Sequence, residues 1–205
     1  MTRNGFMGRG WRWSVVLCVA GIAAAQAPPA PSLDNSGNIL VDGKPLPYVI
    51  RHLPVSSFPG LPPAVRTDLE SRGCLIPQTY EAHKPENVVQ ASLERGGSTD
   101  WAALCSVDGT ATLIVFFGSN LSKPFVIGSG PETEHLQRNT VTGIFGFNWA
   151  IDPATPQRVH EAGAGRRSRP LIIDHDALAD SLIDRRTVYH YFANNAWTLL
   201  DLPEK

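Results

Sequence analysis

Residues 100–117 read Asp-Trp-Ala-Ala-Leu-Cys-Ser-Val-Asp-Gly-Thr-Ala-Thr-Leu-Ile-Val-Phe-Phe. Two apolar runs flank Asp108-Gly109, the strongest short-range signal for a β-hairpin. A two-residue mirror-type turn needs positive φ at both central positions, which Asp tolerates and Gly adopts freely. The turn sets the register. Val107 should face Thr110, Cys105 Thr112, Ala103 Ile114 and Trp101 Phe116. On the other face Leu104 should meet Leu113, and Ala102 should meet Val115. Both faces are apolar, so this central hairpin 100–117 is expected inside a sheet that is covered on each side.

Working outward, Pro62 or Pro63 opens a helix that runs to about Arg72, because proline's missing N–H is unpaired in a first turn anyway. Leu61, Val65 and Leu69 form its buried stripe, and Gly73 is its C-terminal stop. Cys74 follows at once. Cys18 leaves with the leader described below, so Cys74 and Cys105 remain as an even pair and are expected to form a disulfide from the helix end to the central hairpin. Closing a loop of roughly 30 residues stabilises by about 3–4 kcal/mol in the chain-entropy model. A catalytic Cys lacks a His in a recognisable pattern nearby, and a Cys–Cys metal site lacks CxxC or His spacing.

Other segments read as follows. Tyr48-Val49-Ile50 suits an edge strand behind Pro47. Asn87–Leu93 is a strand that turns through 94–99 into the hairpin. Phe125–Ile127 is a strand broken by Gly128-Ser129-Gly130-Pro131, and Thr140–Ile151 is a bent or bulged strand. Pro153–Glu161 holds a short helix or loop, 163–170 is an exposed loop, and 171–173 is a short strand. Asp174-His175-Asp176 leads into a helical turn through Leu182. A second hairpin joins 187–193 to 196–200 across Asn194-Asn195, with Phe192 facing Trp197 and His190 facing Leu199. The expected fold class is α+β: one mainly antiparallel sheet with one or two packed helices and one disulfide.

The N-terminus decides the compartment. Arg3, Arg9 and Arg12 precede an apolar run from Trp13 to Ala25 that ends in Ala23-Ala24-Ala25. That pattern describes a signal peptide over residues 1–25, and the run is short for a membrane span. Residues 26–37 read as a disordered Pro/Ala-rich leader, and 38–205 as a single α+β domain. Removing 1–25 takes away three Arg and no acid, so the net charge of −1 becomes −4. That balance argues against nucleic acid or an anionic membrane as partner. An exported protein, periplasmic or extracellular, is expected, with no membrane span after signal removal.

Two segments resemble a group of uncharacterised secreted bacterial proteins. The first comprises Gly73-Cys74-Leu75-Ile76-Pro77-Gln78, Asn87-Val88-Val89 and Asp100 to Ser106. The second comprises His175-Asp176-Ala177-Leu178, Val188-Tyr189-His190-Tyr191 and Trp197. That group usually has Gly at the place of Ala177, and the resemblance implies no activity. Residues 92–102 also bear a distant similarity to a degenerate repeat of the FG-GAP and VCBS type, in which an oxygen-rich calcium loop precedes an Asp-Trp-Ala-like strand. The similarity puts Ser92, Glu94, Gly96 and Asp100 at the ligand positions. Glu94 and Asp100 are the two metal candidates left, where calcium takes six to eight oxygens, so an emptied loop is implied.

Asp174-His175-Asp176 is the most suggestive polar cluster. With His190 or His160 it could hold a metal or run acid–base chemistry, so His175, Asp176 and His190 are the catalytic candidates. The plainer reading makes Asp176 a helix cap and gives His175 to a neighbouring loop. The His-Asp pair of metal phosphohydrolases needs further His ligands that this chain does not space correctly. His160-Glu161 would need His at Ala164, and Ser129 between two glycines is not a nucleophile elbow. No Walker loop or dinucleotide fingerprint is present, so no cofactor is expected. Arg166-Arg167-Ser168-Arg169 reads as a protease-sensitive solvated loop in preference to a grip for an anionic partner, and Trp101, Trp149 and Trp197 as core or sheet-face aromatics in preference to a sugar platform. The reading that fits best is a small exported domain with a non-catalytic binding role or an envelope-associated one, with an envelope protein as partner. The alternatives are a metal-assisted hydrolase using the His175/Asp176/His190 cluster and a secreted inhibitor of an extracellular enzyme.

Overall fold

The computed structural model describes residues 33–163 and 173–201. The chain opens with β1 (Asn35–Val41) and β2 (Lys44–Pro54), then a 3-10 turn over Val55–Ser57 and α1 (Pro63–Ser71). Next come β3 (Leu75–Gln78), β4 (Val88–Ala91), β5 (Asp100–Val107), β6 (Thr110–Phe116) and β7 (Phe125–Pro131). A 3-10 turn over Glu132–His135 leads to β8 (Leu136–Arg138), β9 (Phe145–Phe147), β10 (Trp149–Ala154) and α2 (Pro156–Ala162). β11 (Ala177–Leu182), β12 (Arg186–Ala193) and β13 (Ala196–Asp201) complete it.

The described strands form two sheets, not one. A nine-stranded sheet runs β7-β6-β5-β3-β2-β9-β8, with β1 on β2 and β4 on β5; a four-stranded sheet runs β10-β11-β12-β13. The α+β class holds, and pairing is mostly antiparallel, but β2 and β9 pair in parallel, which makes the first sheet mixed.

The central hairpin forms in the expected register. Asp108 (φ 49°) and Gly109 (φ 76°) close it, and every expected cross-strand pair is present. Its faces enter different cores. Ala102, Leu104, Leu113 and Val115 pack with Phe147, Trp149, Ile151, Leu178 and Phe192, which joins the two sheets. Ala103, Cys105, Ile114 and Phe116 pack under Leu61, Val65 and Leu69 of the α1 region. A third cluster, including Val159 of α2 with Ala177, Ala179, Tyr189 and Tyr191, lies on the far face of the second sheet. The layers therefore run α1, large sheet, small sheet, α2. Phe117 contacts the rings of Phe192 (4.7 Å) and Trp197 (5.8 Å), so the two hairpins meet in one aromatic cluster.

α1 ends as its glycine requires. Gly73 has φ 74°, its N–H donates to the Glu70 carbonyl, and Cys74 N–H donates to the Leu69 carbonyl at 3.0 Å. Those two bonds satisfy carbonyls that a helix end otherwise leaves unpaired. Cys74 is thereby delivered to Cys105, and the two form a disulfide with Cα atoms 5.0 Å apart.

Several local expectations are corrected. Tyr48–Ile50 is not an edge: β1 lies on one side of it, and Tyr48 and Val49 pair with β9 on the other. Strand pairing also begins earlier than residue 38, because Asn35, Ser36 and Gly37 pair with Ile50, Val49 and Tyr48. Ser, Gly and Asn are depleted in strands, which hid β1. A Cβ on Gly37 would lie 2.9 Å from the Tyr48 ring, so a larger residue there would require that ring to move. Pro45 and Pro47 sit opposite Leu40 and Asn38, alternating with the pair that flanks the two-residue turn. Those are the non-hydrogen-bonded positions of the ladder, so neither missing N–H breaks a β1 bond.

Gly128–Pro131 does not break β7, which pairs through Pro131 with a bulge at Leu113/Ile114. An edge strand tolerates Gly and Pro because one side carries no ladder. The expected bent strand over 140–151 is instead a turn followed by two strands divided at Asn148, where the chain passes from the large sheet to the small one. Ala177–Leu182 is a strand, not a helical turn. Leu178 packs toward the large sheet while Ala177 and Ala179 face α2, a period of two. The second hairpin is as expected, with Asn194 (φ 51°) and Asn195 (φ 59°) in the turn and Phe192 opposite Trp197. The expected signal peptide, residues 26–32 of the leader, the 163–170 loop beyond Gly163 and residues 171–172 of the expected short strand lie outside the described residues. Among the described residues no helix is long and apolar enough to cross a membrane.

Candidate functional site

The structure does not bring His175, Asp176 and His190 together. His175 is buried and stacks on Tyr191 with ring centroids 4.4 Å apart. Its Nε2 donates to the Phe192 carbonyl at 2.9 Å, and its Nδ1 lies 2.7 Å from Asp174 Oδ1. Tyr191 OH donates to that same Asp174 oxygen at 3.0 Å. The hydrogen bonds from His175 and Tyr191 hold the Asp174 carboxyl below the ordinary carboxylate range, and burial pushes the Tyr191 phenol up. Both His175 nitrogens are therefore occupied, and the cluster ties residues 174–175 to β12. Asp176 is not a helix cap: its carboxylate accepts from Ser92 N–H at 3.0 Å, and its own N–H donates to the Ser92 carbonyl.

His190 neighbours Tyr191 on β12 and so points to the opposite face. There its Nε2 lies 2.9 Å from Asp180 Oδ2, and Trp149 Nε1–H donates to Asp180 Oδ1 at 2.6 Å. His135 stacks on Trp149 at 4.3 Å. His135, Trp149 and Asp180 border a small pocket of about 180 Å³, lined also by Leu182, Arg186 and Val188. Burial pushes His135 below the ordinary histidine range, although Asp180 and Glu134 pull it upward. The sequence expectation of a helical turn over 177–182 hides this partnership: only in a strand does Asp180, opposite Val188, come diagonally next to His190.

The candidate calcium loop is closed by its own backbone. Asp100 is 0% exposed. Its Oδ2 accepts from Leu93 N–H and Glu94 N–H at 2.7 Å each and from the Ser98 hydroxyl, while Oδ1 accepts from Gly118 N–H at 2.7 Å. A Cβ on Gly118 would lie 2.3 Å from the Thr99 carbonyl, so only glycine permits that approach. Glu94 accepts from the Ser119 hydroxyl at 2.8 Å, and Ser92 donates to the Ser98 carbonyl. The carboxylate charge of Asp100 is answered by N–H and O–H groups. Among the described residues no group of three or more His, Cys, Asp or Glu is placed to hold a metal ion.

A different place has the form of a binding site. Where β2 and β9 run in parallel, a cleft of about 330 Å³ opens between Val49 and Arg51 of β2, Gln78, Thr79 and Tyr80 at the end of β3, and the segment Asn139–Gly146. Each wall is set by local chemistry. Gly146 lets Tyr80 lie flush against β9, since a Cβ there would be 2.5 Å from the Tyr80 Cβ. The Tyr80 hydroxyl accepts from Gln137 at 3.1 Å. The 139–144 turn is braced: Asn139 Oδ1 accepts from Val141 N–H (2.8 Å) and Thr142 N–H (3.0 Å), and Gly143 (φ 74°) donates to the Asn139 carbonyl. Buried Gln78 clamps the other wall by exchanging hydrogen bonds with Glu86 backbone at 3.0 Å.

Among the described residues, Arg51 supplies the one ionised side chain in the lining of that cleft. It is half-buried, and Nη2 donates to the Ala82 carbonyl at 2.8 Å, while Nε is buried with no partner among the described residues. A buried donor left without an acceptor costs about 1–3 kcal/mol. Glu86, bonded to the Gln78 side chain through its backbone, has its carboxylate occupied by the Thr79 N–H and hydroxyl. Two apolar lining side chains are part-exposed, Val49 at 39% and Ile144 at 38%, and Val141 in the adjoining turn is 92% exposed.

No protein-family model, curated protein or solved structure matches this chain. The cleft residues lie nearly a hundred positions apart and form no motif, so sequence reading missed Arg51 and Tyr80. The one visible hint was apolar Val141 and Ile144 within a turn rich in Thr, Asn and Gly.

Proposed function

We propose that this chain is an exported, disulfide-stapled binding domain of a bacterial cell envelope, periplasmic or extracellular, and not a catalyst. One observation carries the reading: His175, Asp176, Asp100 and His190 are each engaged by hydrogen bonds within the fold, and the cleft at β2/β9 offers recognition groups without a paired nucleophile and base. His175, Asp176 and Asp100 hold backbone segments in place, and His190 is held by Asp180. The cleft at β2/β9 combines apolar walls with one guanidinium, a composition suited to holding a ligand. Export is supported by the basic leader and apolar run of residues 1–25 and by the Cys74–Cys105 bridge, which needs an oxidising compartment to persist. The full chain would be expressed in a bacterium and its exported fraction purified. The expected N-terminus is Gln26, with no metal retained after dialysis against chelator and no hydrolysis of phosphoester, peptide or glycoside substrates. Stoichiometric bound metal, or a hydrolase activity lost on His190→Ala, would overturn the reading.

A second reading, inhibition of an extracellular enzyme, is favoured by the braced 139–144 turn, which holds Val141 out in solvent in the manner of a rigid loop offered to a partner's cleft. A pull-down from the envelope fraction that captures an enzyme with the native chain and not with Val141→Asp would support it.

A further inference from the structure

We propose that the Val49–Gly146 cleft binds a small organic carboxylate with an apolar body, the carboxylate pairing with Arg51. The inference rests on the binding reading above and adds a ligand class to it. Arg51 presents a fixed planar fork, because its Nη2 is already anchored to the Ala82 carbonyl. Its Nε–H is closed off from solvent and has no acceptor among the described residues. A carboxylate in the cleft pairs instead with the terminal guanidinium N–H groups that the Ala82 bond leaves over. Among the described residues no Asp or Glu lines the cleft; burial, together with the charges of Glu81 and Asp184, pushes the Tyr80 phenol up at its edge. The same charge pattern argues against a cationic ligand, which would meet an unopposed guanidinium. Val49, Ile144, Phe145 and the Tyr80 ring provide the apolar walls, which suits an aliphatic or aromatic tail over a polyol or sugar acid. The volume of about 330 Å³ lies at the small end of ligand sites. The rigid 139–144 turn means the site needs little ordering on binding, which favours affinity.

The test uses the exported full chain and three probes of equal length: octanoate, octanamide and octylamine. Titration calorimetry, together with ¹H–¹⁵N shift mapping, reads affinity and location. Octanoate is expected to bind at least tenfold more tightly than octanamide, to shift the amides of Val49, Tyr80 and Gly146, and to leave octylamine without measurable binding. Arg51→Gln should abolish the preference for octanoate over octanamide. Because Arg51 also holds Ala82, a second variant, Ile144→Glu, leaves Arg51 in place and puts a carboxylate at the mouth; it should weaken octanoate at least tenfold with an unchanged Tm. Equal binding of octanoate and octanamide, a preference for octylamine, or shifts mapping elsewhere would overturn the carboxylate assignment while leaving a binding domain. Failure of all three probes at millimolar concentration also overturns it. The broader reading is decided separately, by the metal and hydrolysis measurements.

Discussion

His52 Nε2 and Glu132 Oε1 lie 2.6 Å apart, 80 residues distant in sequence, and both side chains are sealed from solvent. The pair joins β2 to the 3-10 turn after β7, and Nδ1 of the same ring faces the Leu33 carbonyl at 3.0 Å. Burial alone would raise the Glu132 carboxyl, but hydrogen bonds from His52 and Ser106, the His52 charge and Asn35 outweigh it and hold the carboxyl below its ordinary value.

The sign for stability follows from that depression. A carboxyl lowered in the folded state contributes stability above its unfolded pKa of about 4.3, and loses it as pH falls through the folded value. Urea midpoints are therefore expected to hold down to about pH 5 and then to decline. Glu132→Gln should flatten that acid limb. Removing one partner from a buried pair should also cost about 3–5 kcal/mol near neutrality. A midpoint at pH 7 equal to that of the native chain would refute the assignment.

His135 has the opposite chemistry and the same direction with pH. Burial favours its neutral form, so the unfolded chain takes up the proton first as pH drops through about 6.5. Stability should fall across that window, and less so in His135→Phe, which keeps a ring against Trp149. NMR titration of the His135 ring gives the direct check, expected below the ordinary histidine value, and a midpoint above it would sink the idea.

The Cys74–Cys105 bridge closes a separation of 31 residues. Its loss in the paired Ser variant is expected to cost about 3–4 kcal/mol in the chain-entropy model. The measurement is the urea midpoint of oxidised against variant protein, and a difference under about 1 kcal/mol would show that the helix end is held by packing alone.

Asp100 separates a structural carboxylate from a calcium ligand. Chelator should leave the Tm of the native chain unchanged. Asp100→Asn, which turns an amide donor toward several N–H groups, should lower stability by about 2 kcal/mol or more. A Tm that rises with added calcium, or a silent Asn variant, would contradict the hydrogen-bonded closure described for residues 92–100.

Leu104→Ala probes the double burial of the central hairpin. Leu104 is fully buried between the two sheets, so truncation should cost about 2–5 kcal/mol. Val107→Ala, at the exposed end of the same strand, should change stability by less than about 0.5 kcal/mol.

Where the chain's geometry is imposed by a few adjacent residues, the sequence by itself determined the outcome. Asp108-Gly109 and Asn194-Asn195 accept positive φ, and so the two hairpins and their registers were legible. Pro63, the Leu61/Val65/Leu69 stripe and Gly73 delimit α1, and with it came the position from which Cys74 reaches Cys105. Only the tertiary structure decided that the strands split into two sheets, that 177–182 is extended, that His190 answers to Asp180 and not to His175, and that Arg51, Tyr80 and Phe145 share a cleft. The reason is physical. A turn or cap is a local demand on φ and on one or two hydrogen bonds, which residue type alone satisfies. The partner of a buried polar side chain depends on long-range pairing and packing, spread over many weak contacts, and no short stretch of sequence encodes it.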